Sequence, residues 1–422
     1  MMSSFLPKTV WIKIELYDSQ MNFIADYSEQ LIEKDLNHLE MDTTKDVQRS
    51  VKLTLNNITG DFIFNAGANI WIDKRIKLWL GLTIPSTGQI EWIQLGLFAL
   101  TAPINYHDEK DLKCEITASD KAFYLTNNRG RLTTQTTITQ GTPLTTAIQT
   151  LAGNFGETMF NFDPDITFTI PSDTTFDIGT NAWKALNDLA ALGQCQIWYD
   201  RLGYLRLKAI NLNDLASYST VWSFDSTTTT DYFFIGAKRT FDESQLYNQY
   251  YTSGYLIISP SGGINPSGGI NPSGGVNPSG GVSPSGGISP SGGGSYTIGV
   301  VYDILTIDDT VAPWIGSPYS VQKLGYLTKI NQNDVTCLSW SDCHNKNKWF
   351  CQQYLGFSED IELYCPPLYI LEAGDIVSIN DPLSGCSGNY YIYGYTLPLV
   401  PKEKETLKLK KLNLVDLDWN SF

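Results

Sequence analysis

Alternation of apolar and polar residues with a period of two runs through the first hundred residues and narrows what this chain can fold into. In Val10-Trp11-Ile12-Lys13-Ile14-Glu15-Leu16 the even positions carry Val, Ile, Ile and Leu, and the odd ones Trp, Lys and Glu. That is the period of a strand with one buried face. Val51-Lys52-Leu53-Thr54-Leu55 repeats it, and Asn56-Asn57-Ile58-Thr59-Gly60-Asp61 follows, dense in turn formers. Ile70 to Ile72, Arg75 to Leu82, Ile90 to Leu100 and Leu112 to Ala118 read as further strands. Strands separated regularly by turns predict a barrel or sandwich.

A chain of 422 residues suggests about two to four domains. Its 42% hydrophobic content is enough for packed cores and excludes a disordered chain. With 23 Tyr and 11 Trp it suits β-rich structure and wide contact surfaces. The net charge of −15 argues against binding nucleic acid by affinity. Such a charge suits a wall that DNA slides past, and equally plain solubility. The start, Met-Met-Ser-Ser-Phe-Leu-Pro-Lys, shows no apolar signal region, and no run is long enough for a membrane span. Synthesis in a cytoplasm is expected, where the seven Cys stay reduced.

From about Asp120 the pattern changes. Pro143 to Leu151 predicts a short helix, and Ile166 to Ile170 a strand. In Thr180 to Lys208, Thr180 stands where an N-cap belongs, and Trp183, Leu186, Leu189 and Ala190 recur at helical spacing. Gly193 closes that helix. Ile197 to Tyr199, a turn at Arg201-Leu202-Gly203 and Tyr204 to Leu207 then make a hairpin. This stretch predicts a small α/β lobe.

Strands resume at Val221 to Phe224, Tyr232 to Arg239 and Leu246 to Tyr251. From Ile258 to Gly293 the chain repeats Ile/Val-Asn/Ser-Pro-Ser-Gly-Gly. Tyr255 to Ile257 and Tyr296 to Ile298 read as the arms of one hairpin, with the repeat as its enlarged tip. Two readings of the repeat stand: a mobile linker, preferred for an isolated chain, and an ordered stack with one β-branched residue per turn. Pro in every unit blocks a ladder bond, and Gly-Gly loses much entropy on ordering. Further on, Asp342 to Tyr354 predicts a helix capped by Asp342, with Trp349, Phe350 and Tyr354 on its apolar face. Ile361 to Tyr364, Asp375 to Ile379, Asn389 to Leu397 and Thr406 to Leu414 read as strands, the last with a bulge near Lys410-Lys411.

Groups able to catalyse are scarce. The chain has three His; His38 and His107 sit among polar residues and read as solvated. Gly-x-Ser-x-Gly, His-Glu-x-x-His and a phosphate loop with Lys are all missing. Asp308-Asp309 and Glu359-Asp360 read as solvated turns rather than a glycosidase pair. Cys337-x5-Cys343-His344-x6-Cys351-x13-Cys365 offers four soft ligands for zinc or an iron–sulfur cluster, but holds no Cys-x-x-Cys knuckle. Ordinary buried thiols are the preferred reading, with no cofactor and no metal; Cys114 and Cys195 read as core thiols. Trp11, Trp71, Trp79, Trp92 and Trp222 are candidates for a sugar platform, and more readily for core or subunit contacts.

In order along the chain, several stretches resemble the tail hub (baseplate hub) proteins of bacteriophages. Val51 to Phe62, Lys74 to Leu82, Leu95-Gly-Leu-Phe and Cys114-Glu-Ile-Thr-Ala-Ser-Asp-Lys are similar to the family's first barrel. The helix and hairpin around Trp183 and Gly203 resemble its inserted lobe. Tyr247-Asn248, Ser317 to Gly325 and Leu371 to Ile379 are similar to landmarks of its second barrel and C-terminus. The hexapeptide insert departs from the family.

The resemblance implies a mainly β (α+β) fold. A first tube-like barrel is expected at 1–119 and an inserted α/β lobe at 120–209. A second tube-like barrel region at 210–330 carries the insert at 258–293, and a helix and β-rich region at 331–422 completes the hub. It also implies a homotrimeric ring at the virion tail tip, joining a tail tube or distal tail protein to tip or fibre proteins. DNA or the tape-measure protein passes through it without specific binding, and no membrane insertion is implied. Many relatives carry a fused cell-wall hydrolase; the chain stops at Phe422, so no lytic domain and no enzymatic activity are expected. The rival readings are a receptor- or carbohydrate-binding tail protein and a cell-wall hydrolase component. The repeat hairpin is expected to serve as a plug or contact arm.

Overall fold

The computed structural model describes residues 10–32, 37–84, 86–107, 112–209, 219–228, 233–241, 246–258, 287–288, 296–354, 359–399 and 403–411. The first strands are β1 (Val10–Tyr17), β2 (Phe23–Asp26), β3 (His38–Asp42), β4 (Arg49–Asn56), β5 (Arg75–Thr83), β6 (Ile90–His107) and β7 (Leu112–Ser119). They lie in the order β2-β1-β5-β6-β7-β4-β3. An isolated bridge between Leu31 and Leu55 brings the stretch after β2 onto β4, so this half curls round on itself. The alternation behaves as expected: Ile14 and Leu16 are buried, and Trp11 is 47% exposed. β6 is long because it pairs with β5 as far as Ala99 and with β7 from Ala99 onward, with a bulge against β7 between Leu100 and Ala102. Ile70 to Ile72 form no strand. They sit in a turn where the Lys74 N–H donates to the Trp71 carbonyl, and Ile70 alone plugs into the core.

The lobe follows: α1 (Ala122–Thr126), β8 (Thr136–Ile138), α2 (Leu144–Gly153), β9 (Phe160–Phe162), β10 (Thr174–Phe176), α3 (Ala182–Leu192), β11 (Cys195–Tyr199) and β12 (Leu205–Ala209). β12 pairs antiparallel with β11 and parallel with β9. The faces of α2 and α3 bury Leu144, Ile148, Leu151, Leu186 and Leu189, and Trp183 stacks on Tyr199 at 6.0 Å. Three local expectations shift. Residues 166–170 make only one bridge, Pro143 to Thr169, because their main chain bonds to the turn before α2. Asn181, not Thr180, caps α3: its side chain accepts the Lys184 N–H at 2.9 Å and donates to the Thr126 carbonyl. Gly193 does end α3, but with negative φ; it is glycine because a Cβ there would lie 2.4 Å from Leu144.

The second half contains β13 (Trp222–Asp225), β14 (Gly236–Phe241), β15 (Gln249–Ile258), β16 (Gly287–Ile288), β17 (Tyr296–Thr306), α4 (Val321–Leu324), β18 (Thr328–Asp334), α5 (Trp340–Tyr354), β19 (Glu359–Cys365), β20 (Ile376–Asp381), β21 (Cys386–Pro398) and β22 (Glu405–Lys411). The fold is mainly β, yet the strands of 210–330 do not stay together. β13 and β14 join the C-terminal strands, while β16, β17, β15 and β18 form a separate four-stranded sheet. β21 is long enough to pair with β20, β22 and β3 in turn, so first and last strands become one thirteen-stranded sheet. One apolar core runs beneath it, from Leu16 and Leu53 to Ile392 and Leu409. The irregularity against β22 falls in β21 between Ile392 and Gly394; residues 412–414, needed for the bulge expected near Lys410, lie outside the described residues.

The hairpin that carries the hexapeptide repeat forms as expected, with Ile257 opposite Ile298. Most of residues 258–293 lie outside the described residues; Gly287-Ile288 pairs with β17. α5 begins two residues before Asp342. Ser339 Oγ accepts the Asp342 N–H and Asp342 Oδ2 accepts the Leu338 N–H, a near-reciprocal cap.

Glu405 opens β22, 1% exposed, and accepts the Leu368 N–H. Burial pushes its carboxyl up from 4.5 to about 8. A folded-state value above the unfolded one gives stability that is whole below 4.5 and is lost as pH rises toward 8. Unfolding in urea at pH 6 and pH 7 is expected to differ by roughly 1 kcal/mol from this group. Glu405→Gln should flatten that slope, and an unchanged slope assigns it elsewhere.

Candidate interaction surface

β1 presents Trp11, Lys13, Glu15 and Tyr17 on the face turned from the core. The register sets Lys13 opposite Trp79, and Gly81 of β5 between Trp11 and Trp92. A Cβ at Gly81 would lie 2.7 Å from Ile90 and 2.9 Å from Trp92, so glycine lets both lie across β5. Lys13 Nζ stands 5.1 Å above the Trp79 ring and 4.8 Å above the Trp92 ring. Glu15 accepts from Lys13 Nζ at 3.1 Å, Tyr17 OH at 2.9 Å and Trp79 Nε1 at 2.8 Å. Burial alone would raise the Glu15 carboxyl, but these three donors hold it below its usual value. Burial and Glu15 together push Tyr17 up to about 12. Phe23 of β2, 58% exposed, meets Tyr17 edge-on and extends the band.

Three of the five expected Trp residues therefore converge on one outer face. Trp71 lies in a turn, and Trp222 packs edge-on against Phe233 in the second half. Lys13, Tyr17 and Trp79 all donate to Glu15, and Trp11 Nε1 donates to Thr83 Oγ1 at 3.2 Å, so these side chains are braced before a partner arrives and order at little cost.

The orientation of the lobe is set by the β11–β12 turn. Gly203, at φ +86, lies against Leu97, and the carbonyls of Arg201 and Gly203 accept from Gln94 and Lys121, each at 2.9 Å. A cleft of about 290 Å³ beside it is lined by Met21, Arg75, Lys121, Tyr124, Glu157 and Tyr199, among others. Lys121 and Glu157 pair at 2.7 Å, and Tyr199 OH donates to Glu157 at 2.8 Å. These groups serve one another and brace the lobe.

Two further buried joints escaped the sequence reading. Arg49, 4% exposed, donates to the Leu95 carbonyl at 3.1 Å, Tyr395 OH at 3.0 Å and Glu372 at 2.9 Å. Lys346 of α5 pairs with Asp334 at the end of β18 and stands 3.9 Å from Asp188 of α3. It thus ties the lobe to the four-stranded sheet.

The four C-terminal cysteines fall in three places. Cys337, against Gly254, and Cys343, its thiol directed at the Val301 carbonyl, lie between α5 and the four-stranded sheet, Cys351 lies with Tyr250 in a small core, and Cys365 belongs to the core of the large sheet. His344 stacks on Trp340 at 4.6 Å and bonds Asp303 at 3.1 Å. Among the described residues no three His, Cys, Asp or Glu side chains stand together as a metal-binding group. His38 is half-buried in β3 and His107 exposed at the end of β6. Asp308 accepts from Thr310 in a turn, and Asp360 accepts from Tyr393 OH. No helix among the described residues is long and apolar enough to cross a membrane.

No family model matches the chain, and neither does any curated protein. Solved structures match along nearly its whole length. The tail protein from Neisseria meningitidis MC58 is 10% identical, with a TM-score of 0.60 over 95% of this chain and 97% of that one. The 43 kDa tail protein of prophage MuSo2 from Shewanella oneidensis is 12% identical, with a TM-score of 0.59 over 95% and 99%. The chain thus has the fold of these phage tail proteins, built from end to end.

Proposed function

We propose that this chain is a structural hub or adaptor of a phage tail tip. Three copies close into a ring that joins the tail tube to the distal tip and surrounds the channel for DNA or the tape-measure protein. The observation that carries this reading is the two-way, nearly complete coverage of two tail proteins. A fold alone hosts many functions, so the reading also leans on chemistry. The net charge of −15 suits a channel wall that DNA passes without sticking, and the band of Trp11, Trp79 and Trp92 suits a broad protein contact. The chain works by assembly rather than turnover, with no bound cofactor, and is made in the host cytoplasm before it enters the virion tail. Gold labelling of a tagged chain on purified particles should mark the tail tip. Label on capsids, or on no particle at all, rejects the reading.

Trp11→Ala with Trp92→Ala is expected to weaken association between copies by about 2 kcal/mol or more, roughly thirty-fold, with the fold intact. Sedimentation at graded concentration measures it. A second reading, carbohydrate binding at the same band, is favoured by the exposure of Trp11 and Trp92. Binding on a glycan array that the double substitution abolishes would favour it.

A further inference from the structure

The cleft of about 290 Å³ where the lobe meets β5 and the turn between β1 and β2 holds a positive charge that no acid of its wall neutralises. Among the described residues that line it, Glu157 is the one carboxylate, and it is fully engaged. Its Oε1 accepts Lys121 Nζ at 2.9 Å and the N–H groups of Thr158 and Met159 at 2.9 and 2.8 Å. Its Oε2 accepts Tyr199 OH at 2.8 Å. Lys121 and Glu157 thus cancel, and Arg75 is left over. Its guanidinium lies 5.4 Å from the centre of the Tyr124 ring, which also carries Arg129 at 5.3 Å. Arg75 Nε is buried without an acceptor, and no carboxylate of the described residues pairs with this side chain. Asp73, two positions away, is held by Lys74 at 2.8 Å. The rest of the wall is largely apolar, with Met21, Leu97, Phe155 and Met159. Met21 is set there at φ 67, in a turn where Asp18 Oδ1 accepts the N–H groups of Gln20 and Asn22.

We propose that this cleft binds a monocarboxylate with an apolar body, of about one or two residues in size. The guanidinium takes the carboxylate through parallel N–H···O bonds, and the Tyr124 ring holds the plane of that fork. The apolar walls take the body of the ligand. One uncompensated cation matches one negative charge; a dianion such as phosphate would bring a second charge up against Glu157. Two sources present this chemistry: a free small acid, and an acidic side chain beside an apolar one on a partner's segment.

The test is a ligand-observed NMR titration of the folded, full-length chain. The probes are hydrocinnamate, for the free acid, and the dipeptide acetyl-Phe-Glu-amide, for the segment. Each is compared with its uncharged counterpart, hydrocinnamamide and acetyl-Phe-Gln-amide. The acids are expected to bind with a Kd of about 1 mM or tighter, and the uncharged probes about tenfold more weakly or worse. The tighter acid names the source, and inorganic phosphate should displace neither. Arg75→Met should weaken the acids by about tenfold or more. Thr158→Trp, at an exposed position on the rim, should block the cleft and leave the thermal midpoint unchanged. The comparison of acid with amide is made on the native chain, so it decides the matter even if Arg75→Met fails to fold. No saturable binding of either acid, amides that bind as well as the acids, or displacement by phosphate overturns the proposal. So does an affinity that neither substitution changes.

Discussion

Lys346→Met is expected to lose about 3–5 kcal/mol of stability at neutral pH, because it strands a buried carboxylate. Lys346 and Asp334 side chains are each 1% exposed, so water cannot replace the lost partner. Burial alone would drive the Asp334 carboxyl up; Lys346, Thr336 and Asn331 overcome this and hold it at about 2. Asp188, raised by burial, would then face Asp334 with no cation between them. The sign of the pH dependence follows. A folded-state value below the ordinary 3.8 gives stability that is present above 3.8 and lost as pH falls through about 2. Without Lys346 that carboxyl rises and takes up a proton, so the deficit of the variant should shrink from pH 7 toward pH 4. Urea unfolding at both values measures it. Adding Asp334→Asn should recover more than about 1 kcal/mol, the mark of direct coupling. A deficit of equal size at both pH values would show that lost packing, not the stranded charge, is responsible.

Arg49→Met is expected to cost about 3 kcal/mol, toward the lower end for a buried pair because Glu372 keeps contact with water. The guanidinium stands at the seam of the molecule. Its three acceptors come from β6, from β21 and from the loop before β20, up to 346 positions away in sequence. Glu372 also receives Tyr395 OH at 3.1 Å and lies 3.7 Å from Arg201 of the lobe. Without Arg49 the Leu95 carbonyl loses that donor. Arg49→Lys should recover little, since a point charge cannot reach three acceptors in a plane. A double-mutant cycle with Glu372→Gln should give a coupling above about 1 kcal/mol; a value near zero would remove the pair from the account.

These two joints mark what the sequence hides. Local alternation made β1, β4, β5 and β7 legible, because one face of each strand meets the core. The hairpin of β11 and β12 was legible for the same reason, with Gly203 at its turn. The continuity of the large sheet was not, because it depends on β21 meeting β3, with Leu397 opposite Leu39. Register between such distant strands leaves no local trace. Ile70 looked like part of a strand because a single apolar anchor from a turn has the same composition.

Buried charges are hidden for another reason: Arg and Lys in a sequence look like surface. One signal was present in α5. Cys343, Lys346, Asn347, Phe350, Cys351 and Tyr354 fall at helical spacing on one stripe, so Lys346 shares a face with core residues. The interaction band was half legible. Parity in β1 put Trp11 beside Lys13 and Glu15 on the outer face, but only the pairing of β1, β5 and β6 brings Trp79 and Trp92 to meet it.

The mass of the assembled protein in native buffer, across a range of concentrations, tests the central claim most directly. A ring subunit predicts a species three times the mass of one chain that falls apart when Trp11 and Trp92 are both replaced by alanine. A chain that remains single at every concentration, alone and on purified particles, would contradict it.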